Sequence, residues 1–182
     1  MFIDICSDLH VSQSNPMPFW KDIKNDKSTV LVVAGDTTNS PFATANILRN
    51  AATVYDNVVF VDGNHEHYSG DLTVEESEAW FTKEFSSGNI HYLKSRRLEL
   101  EDTILLGANG WYDWNTTSNS ISTSYQAWKR YSNDARCIAT DSKTADFSIK
   151  ATFDADLLCQ AVTDYQGSDK KIVIVTHTAP SE

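Results

Sequence analysis

Three stretches of this chain, TVLVVAG at 29–35, NVVFVDG at 57–63 and KIVIVTH at 171–177, are unbroken apolar runs that close on glycine or histidine. A strand with one wet face alternates apolar and polar residues. A strand with no polar position is covered on both faces. A chain with several such strands is an α/β protein whose helices cover its sheets. The pattern predicts strands over residues 2–6, 29–35, 57–62, 97–101, 103–108 and 171–176.

Helices fit between these strands. PFATANILRNAATVY begins with a proline at its first turn and repeats apolar residues at Ile47, Leu48, Ala51, Ala52 and Tyr55. TVEESEAWFTKEF offers Thr73 as N-cap with Glu76 three residues on, the capping-box spacing. FDADLLCQAVTDYQ sets Phe153, Leu157, Leu158, Ala161, Val162 and Tyr165 on one stripe and stops at Gly167. Residues 110–150, rich in Ser, Thr, Asn and aromatics, read as a long loop with a short helix near 122–131.

With 182 residues the chain suits a single domain spanning 1–182. No run of 18 apolar residues crosses a membrane, and the first residues lack the basic n-region of a secretory signal. Cys6, Cys137 and Cys159 are scattered, which fits neither a disulfide framework nor a zinc knuckle. A reducing, cytoplasmic setting is expected. The net charge of -10 repels phosphate backbones, so non-specific nucleic-acid binding is not expected. A phosphate substrate would need positive charge supplied at the site, and metal ions can supply it.

The strand ends carry the chemistry. The first ends in SDLH with Asp8 and His10, the second in Gly35–Asp36, the third in GNHE with Asn64, His65 and Glu66, and the last at His177. In α/β sheets the carboxyl ends of neighbouring strands share one edge, where ligands bind. Asp8 and His10 alternate, so their side chains share one side of an extended segment. A carboxylate has two oxygens and can bridge two cations, and Asp36 is the natural bridge. Asn64 adds a neutral oxygen, and imidazoles suit Mn, Fe, Zn or Ni. An oxygen and nitrogen set without thiolate argues against structural zinc. It suits two metals about 3.5–4 Å apart. Gly35 and Gly63 allow tight turns where a Cβ would crowd the metals.

DLH, GD, GNHE and VTHTAP, in this order and spacing from Asp8 to Pro180, resemble the calcineurin-like metallophosphoesterases. The resemblance implies an αββα sandwich of two mixed β-sheets flanked by helices, with a dinuclear centre above the strand ends. By position it implies that Asp8 and His10 bind the first metal, Asp36 bridges, and Asn64 and His177 bind the second. His65 would be the outer-sphere histidine that contacts the phosphoryl group or protonates the leaving oxygen. The implied activity is metal-dependent hydrolysis of a phosphate monoester or diester. Manganese is the expected metal, with Fe, Zn, Ni or Mg as alternatives.

Two departures shape the expectation. The Gly-His-x-His motif that closes the family pattern is absent, so each metal lacks one imidazole and the second sheet is expected to lack its last strand. The chain is then expected to be a truncated product or half of a split enzyme, with a second chain or a missing C-terminal segment supplying histidines. The alternative function is a catalytically impaired domain that binds a partner or serves as a scaffold. GDTTNS also lacks the Asp-Arg of protein Ser/Thr phosphatases, which argues against a phosphoprotein substrate.

Glu66 is expected to orient neighbours rather than ligate. His67 and His91 are expected to be structural or surface residues. Trp111, Tyr112 and Trp114 have two readings, a core-edge cluster or a substrate wall that stacks on a base or aromatic leaving group. Lys129 and Arg136 are candidates for a phosphate-contacting cation, and the sequence selects neither.

Overall fold

The computed structural model describes residues 1–17, 19–95, 97–115, 120–140 and 147–179. Pro180 of the last motif, Arg96, and residues 116–119 and 141–146 of the 110–150 segment lie outside the described residues. In chain order the strands are β1 (Ile3–Cys6), β2 (Val30–Ala34), β3 (Asn57–Val61), β4 (Ile90–Tyr92), β5 (Leu98–Leu100), β6 (Thr103–Ala108) and β7 (Lys171–Thr176). The helices are α1 (Trp20–Ile23), α2 (Pro41–Ala51), α3 (Val74–Glu84), α4 (Ile121–Tyr131), α5 (Asp134–Cys137) and α6 (Phe147–Asp164). Two 3₁₀ turns, His65–His67 and Leu93–Ser95, complete the set.

The strands form two sheets, as an αββα sandwich requires. One has the order β1-β2-β3-β4, and its strands are parallel. The other has the order β5-β6-β7, with β5 antiparallel and β7 parallel to β6. β2 and β3 show why their sequences contain no polar positions. Leu31, Val33, Val58 and Phe60 face α2 and α3 in one core, with Ala45, Leu48 and Phe81. Val30, Val32, Val59 and Val61 face the second sheet, with Leu105 and Val175. A period of two thus divides each strand between two apolar cores. Phe60 lies between the rings of Phe81 and Tyr92, at 5.1 and 5.7 Å. Phe60→Ala would cost about 3–5 kcal/mol.

The predicted capping box is present. Thr73 Oγ1 accepts from the Glu76 N–H at 3.2 Å, and the Glu76 carboxylate accepts from the Thr73 N–H at 2.8 Å. Ser120 caps α4 by accepting from the Thr123 N–H at 3.2 Å. α6 begins at Phe147, ahead of the expected start, and its buried residues are Phe147 and Asp154. The expected stripe is therefore corrected at Phe153, which is 60 % exposed. Phe153 lies about 100° of helix turn from Asp154, on the solvent side of the helix. β4, only three residues long, carries no periodicity and was not predicted. No described helix is long and apolar enough to cross a membrane, and Cys6, Cys137 and Cys159 are free thiols.

Candidate metal centre

The loops after β1 and β2 run side by side. Asp8 N–H donates to Gly35 O at 3.1 Å, His10 N–H to Asp36 O at 3.0 Å and Val11 N–H to Thr37 O at 2.8 Å. Three candidate ligands on these loops are left-handed, Asp8 at φ 54°, His10 at 45° and Asp36 at 56°. Asp and His tolerate this region better than most residues, yet each such position stores strain that its surroundings must hold. Asn15 helps, donating through Nδ2 to Leu9 O at 2.9 Å and His10 O at 3.2 Å.

Two glycines and one glutamate bring the β2 and β3 ends together. A Cβ on Gly35, whose φ is +81°, would lie 2.6 Å from His177 Nδ1. A Cβ on Gly63 would lie 2.6 Å from the Asp36 backbone nitrogen. The expected crowding is thus against the ligand-bearing residues themselves. Glu66 is fully buried. Its Oε2 accepts from the N–H groups of Asp36 at 2.9 Å and Gly63 at 2.7 Å. Its Oε1 accepts from the N–H groups of Thr37 at 2.6 Å and Thr38 at 3.4 Å, and from the Thr44 hydroxyl at 3.1 Å. One carboxylate clamps both strand ends, the orienting role expected of it. Burial pushes its pKa above the ordinary carboxylate value, while the Gly63 and Thr37 donors pull against that rise.

The side chains converge on Asp36 as two His/Asp clusters, His10–Asp36–His65 and Asp8–Asp36–His177, whose donor atoms lie within 4.8 Å of one another. Asp36 belongs to both. Its Oδ2 is 3.8 Å from His10 Nε2 and 3.9 Å from His65 Nε2, and its Oδ1 is 3.3 Å from His177 Nε2. Asp8 lies near members of both clusters. It clusters with His177, and its Oδ1 also lies 3.9 Å from His10 Nε2.

Hydrogen bonding dictates what faces Asp36. His177 Nδ1 lies 2.9 Å from Ala34 O, which can only accept, so Nδ1 carries the hydrogen. The lone pair of Nε2 is then directed toward Asn64 Oδ1 at 3.1 Å and Asp36 Oδ1 at 3.3 Å. Three acceptors meet there, and a cation between them, proton or metal, relieves the repulsion. Among the described residues the ion-pair contacts of Asp8 and Asp36 are all to histidines. This donor set fits a divalent metal with mixed oxygen and nitrogen ligation.

His65 belongs to the cluster with His10. Its N–H donates to Asp36 Oδ1 at 2.9 Å, its Nδ1 is 2.7 Å from Asn39 Oδ1, and its ring stacks on Tyr68 at 4.1 Å. Burial lowers its pKa below 6.5, with Asp36 opposing and His10 reinforcing the shift. Asn39 was not foreseen, although its place three residues after Asp36 is a readable signal. Asn64 directs its amide nitrogen away from Asp36, to Asp134 Oδ1 at 2.9 Å and Tyr68 Oη at 3.1 Å.

The three aromatics named from the sequence fall in one packed layer. Trp111 is 2 % exposed and stacks on Phe147 at 4.5 Å, a core position. Tyr112 donates its hydroxyl to Asp134 Oδ2 at 2.7 Å, and Trp114 packs on Tyr112, Tyr125 and Trp128. Arg136 donates its guanidinium to the Ser132 and Tyr131 carbonyls. His67 is structural, as expected. Buried, it lies 2.8 Å from Asp62 Oδ2 through Nε2 and 2.9 Å from Ser77 Oγ through Nδ1. His91 lies 2.9 Å from Asn57 Oδ1.

A family model described as calcineurin-like phosphoesterase matches residues 1–181. Among solved structures, the chain is similar to the crystal structure of phosphopantetheinyl hydrolase (PptH) from Mycobacterium tuberculosis. The TM-score is 0.75 at 15% identity, covering 97% of this chain and 68% of that one, a likeness of fold alone. No curated protein matches the chain.

Proposed function

Because this chain belongs to the calcineurin-like phosphoesterase family, we propose that it hydrolyses phosphate esters with the help of two divalent cations. The observation that carries the reading is the meeting of His177 Nε2, Asn64 Oδ1 and Asp36 Oδ1, with the other Asp36 oxygen turned to a second histidine cluster. Asp36 would serve both cations, Asp8 and His10 one of them, and Asn64 and His177 the other. Solvent or a second chain would fill further positions. The mixed donor set makes manganese the first choice, with Fe, Zn, Ni and Mg as alternatives.

When bound, the cations polarise the phosphoryl oxygens and make a water acidic enough to attack at neutral pH. The remaining work belongs to the chain. Asn39 holds the Nδ1–H of His65, which leaves Nε2 to carry a proton to the departing oxygen. Asn39 is neutral and stabilises an imidazolium less than a carboxylate would. The proton on Nε2 therefore depends on the negative charge of Asp36 and of the substrate phosphate. Trp114, which keeps part of its surface exposed, is the aromatic we assign to the substrate side. The similar fold is that of a protein named as a phosphopantetheinyl hydrolase. For this chain the substrate is kept at the level of a phosphate ester.

The test combines metal content with two model substrates. Protein equilibrated with manganese and desalted is measured by ICP mass spectrometry, then assayed on p-nitrophenyl phosphate and bis(p-nitrophenyl) phosphate. Near two ions per chain and turnover of either ester is expected, and the ester turned over distinguishes monoesterase from diesterase. Protein that retains no metal overturns the reading. Metal without turnover of either ester reduces the chain to a metal-binding module.

A further inference from the structure

The geometry points to Asp134 as a positioning residue that fixes the Asn64 carboxamide with its oxygen toward Asp36 and His177. The inference rests on the metal-binding reading above. A carboxamide has a donor end and an acceptor end of nearly equal size, so shape does not choose between its two orientations. Only the oxygen end can ligate a cation, and hydrogen bonds must make the choice. Asp134, as a carboxylate, accepts only, and its Oδ1 lies 2.9 Å from Asn64 Nδ2. Tyr68 donates its own hydroxyl to the same Oδ1, which leaves a lone pair on Tyr68 Oη to accept from Asn64 Nδ2 at 3.1 Å. The amide nitrogen thus faces two acceptors side by side. A flipped amide would set its oxygen against the Asp134 carboxylate and turn toward His177 a nitrogen that cannot ligate a cation.

Asp134 is itself held. It is 9 % exposed. Tyr112 donates to its Oδ2 at 2.7 Å, and Trp128 Nε1–H donates to Tyr112 Oη at 2.9 Å, which directs the Tyr112 proton to Asp134. Its N–H donates to Ser132 Oγ at 3.1 Å. The donors to its carboxylate, Asn64, Tyr68 and Tyr112, are all neutral. Because no cation binds this carboxylate in that network, its charge is free to act on the Asn64 amide. The aromatic layer of Trp111, Tyr112, Trp114 and Trp128 thus reaches the candidate centre through Tyr112, Asp134 and Asn64.

The competing view is that Asp134 merely anchors the start of α5, and metal binding separates the two. Asp134→Asn removes one acceptor and leaves the Asn64 amide free to flip. The ion served by Asn64 and His177 is then expected to bind about 10–100-fold more weakly in manganese titration calorimetry, the usual penalty for losing an outer partner. The other ion should be unaffected. Tyr112→Phe spares the Asn64–Asp134 bond and should lower the melting temperature while keeping both ions. The swap Asn64→Asp with Asp134→Asn puts oxygens at both ends of residue 64, which then needs no orienting, and two ions per chain should return. Two ions of wild-type affinity on Asp134→Asn would overturn this inference alone, as would a folded swap that binds fewer than two. If Asp134→Asn does not fold, the swap decides by the same criterion. Wild-type protein that takes up no manganese would overturn the functional reading, and this inference with it.

Discussion

On one side of Asp36 the candidate ligands are largely buried and held by distant parts of the chain; on the other they are exposed and held by neighbouring loops. Asp36 and His177 keep 5% and 11% of their side-chain surface. Glu66, Ala34 and Asp134, from three separate parts of the chain, set the Asp36 loop, the His177 ring and the Asn64 amide. Asp8 and His10 keep 59% and 42%. They rest on loop-to-loop N–H bonds and on Asn15. The buried half has met its ordering cost during folding, whereas the exposed half must meet part of that cost when an ion arrives. The first ion should therefore bind the buried half.

Asp36→Ala would break the comparison outright, because Asp36 is the one residue common to both clusters. We expect metal content near zero by ICP mass spectrometry and no measurable turnover. A variant that still held one ion would show that the halves are independent. His65→Ala acts next most strongly. Its ring packs on His10 and lies 3.9 Å from Asp36, yet its proposed task is proton delivery. Turnover should fall by about 10²–10⁴-fold while two ions stay bound. Loss of one ion instead would move His65 into the ligand set, where its cluster with His10 and Asp36 would place it.

The sequence disclosed the buried half more fully than the exposed half, for a physical reason. β2 and β3 are covered on both faces as expected, whereas β7 lies at the edge of its described sheet and leaves Ile174 50% exposed. This corrects the reading of all three runs as central strands, yet the polar residues at their ends still stood out against apolar runs. Glu66 was legible as an orienting residue because it follows Gly-Asn-His at a turn. Asp134 and Asn39 act through partners 70 and 26 positions away in the chain, a relation that no local periodicity encodes. The left-handed φ values at Asp8 and His10 are ones that a composition of Asp, Leu and His permits without requiring. Trp111 and Trp114 looked alike as neighbours of a loop, and packing alone placed the first in the core.

The supports of the two halves should differ in stability. Glu66→Gln sets an amide NH2 among five donors, and buried N–H groups lose their acceptor. Urea unfolding should show a loss of about 3 kcal/mol. Asn15→Ala removes the bonds to Leu9 O and His10 O at an exposed loop, and the loss should stay near about 1 kcal/mol. The second variant should nonetheless weaken the later-binding ion, because a freer His10 pays more to be ordered. Equal losses in the two variants would mean that burial does not divide the centre.

The smallest expected effect probes the foundation of the buried half. Asp62, the residue before Gly63, accepts from Tyr92 OH at 2.7 Å and lies 2.8 Å from His67 Nε2. Burial pushes its pKa up, but the hydrogen bond and charge of His67, the charge of Lys94 and the Tyr92 hydroxyl outweigh burial and bring it from 3.8 down to about 2. A folded-state pKa below the unfolded one means that the folded protein holds the ionised form more strongly. The stabilisation is then present above the ordinary value of 3.8 and disappears as pH falls through about 2. Melting temperature should decline across that window, and Asp62→Asn should remove that part of the slope while lowering stability at every pH. The same substitution would also loosen the turn that carries Asn64 and His65. If the variant binds manganese as well as wild type at neutral pH, the preformed order of the buried half does not extend beneath Gly63. Weaker binding of the first ion alone would extend it to the His67–Asp62–Tyr92 contacts.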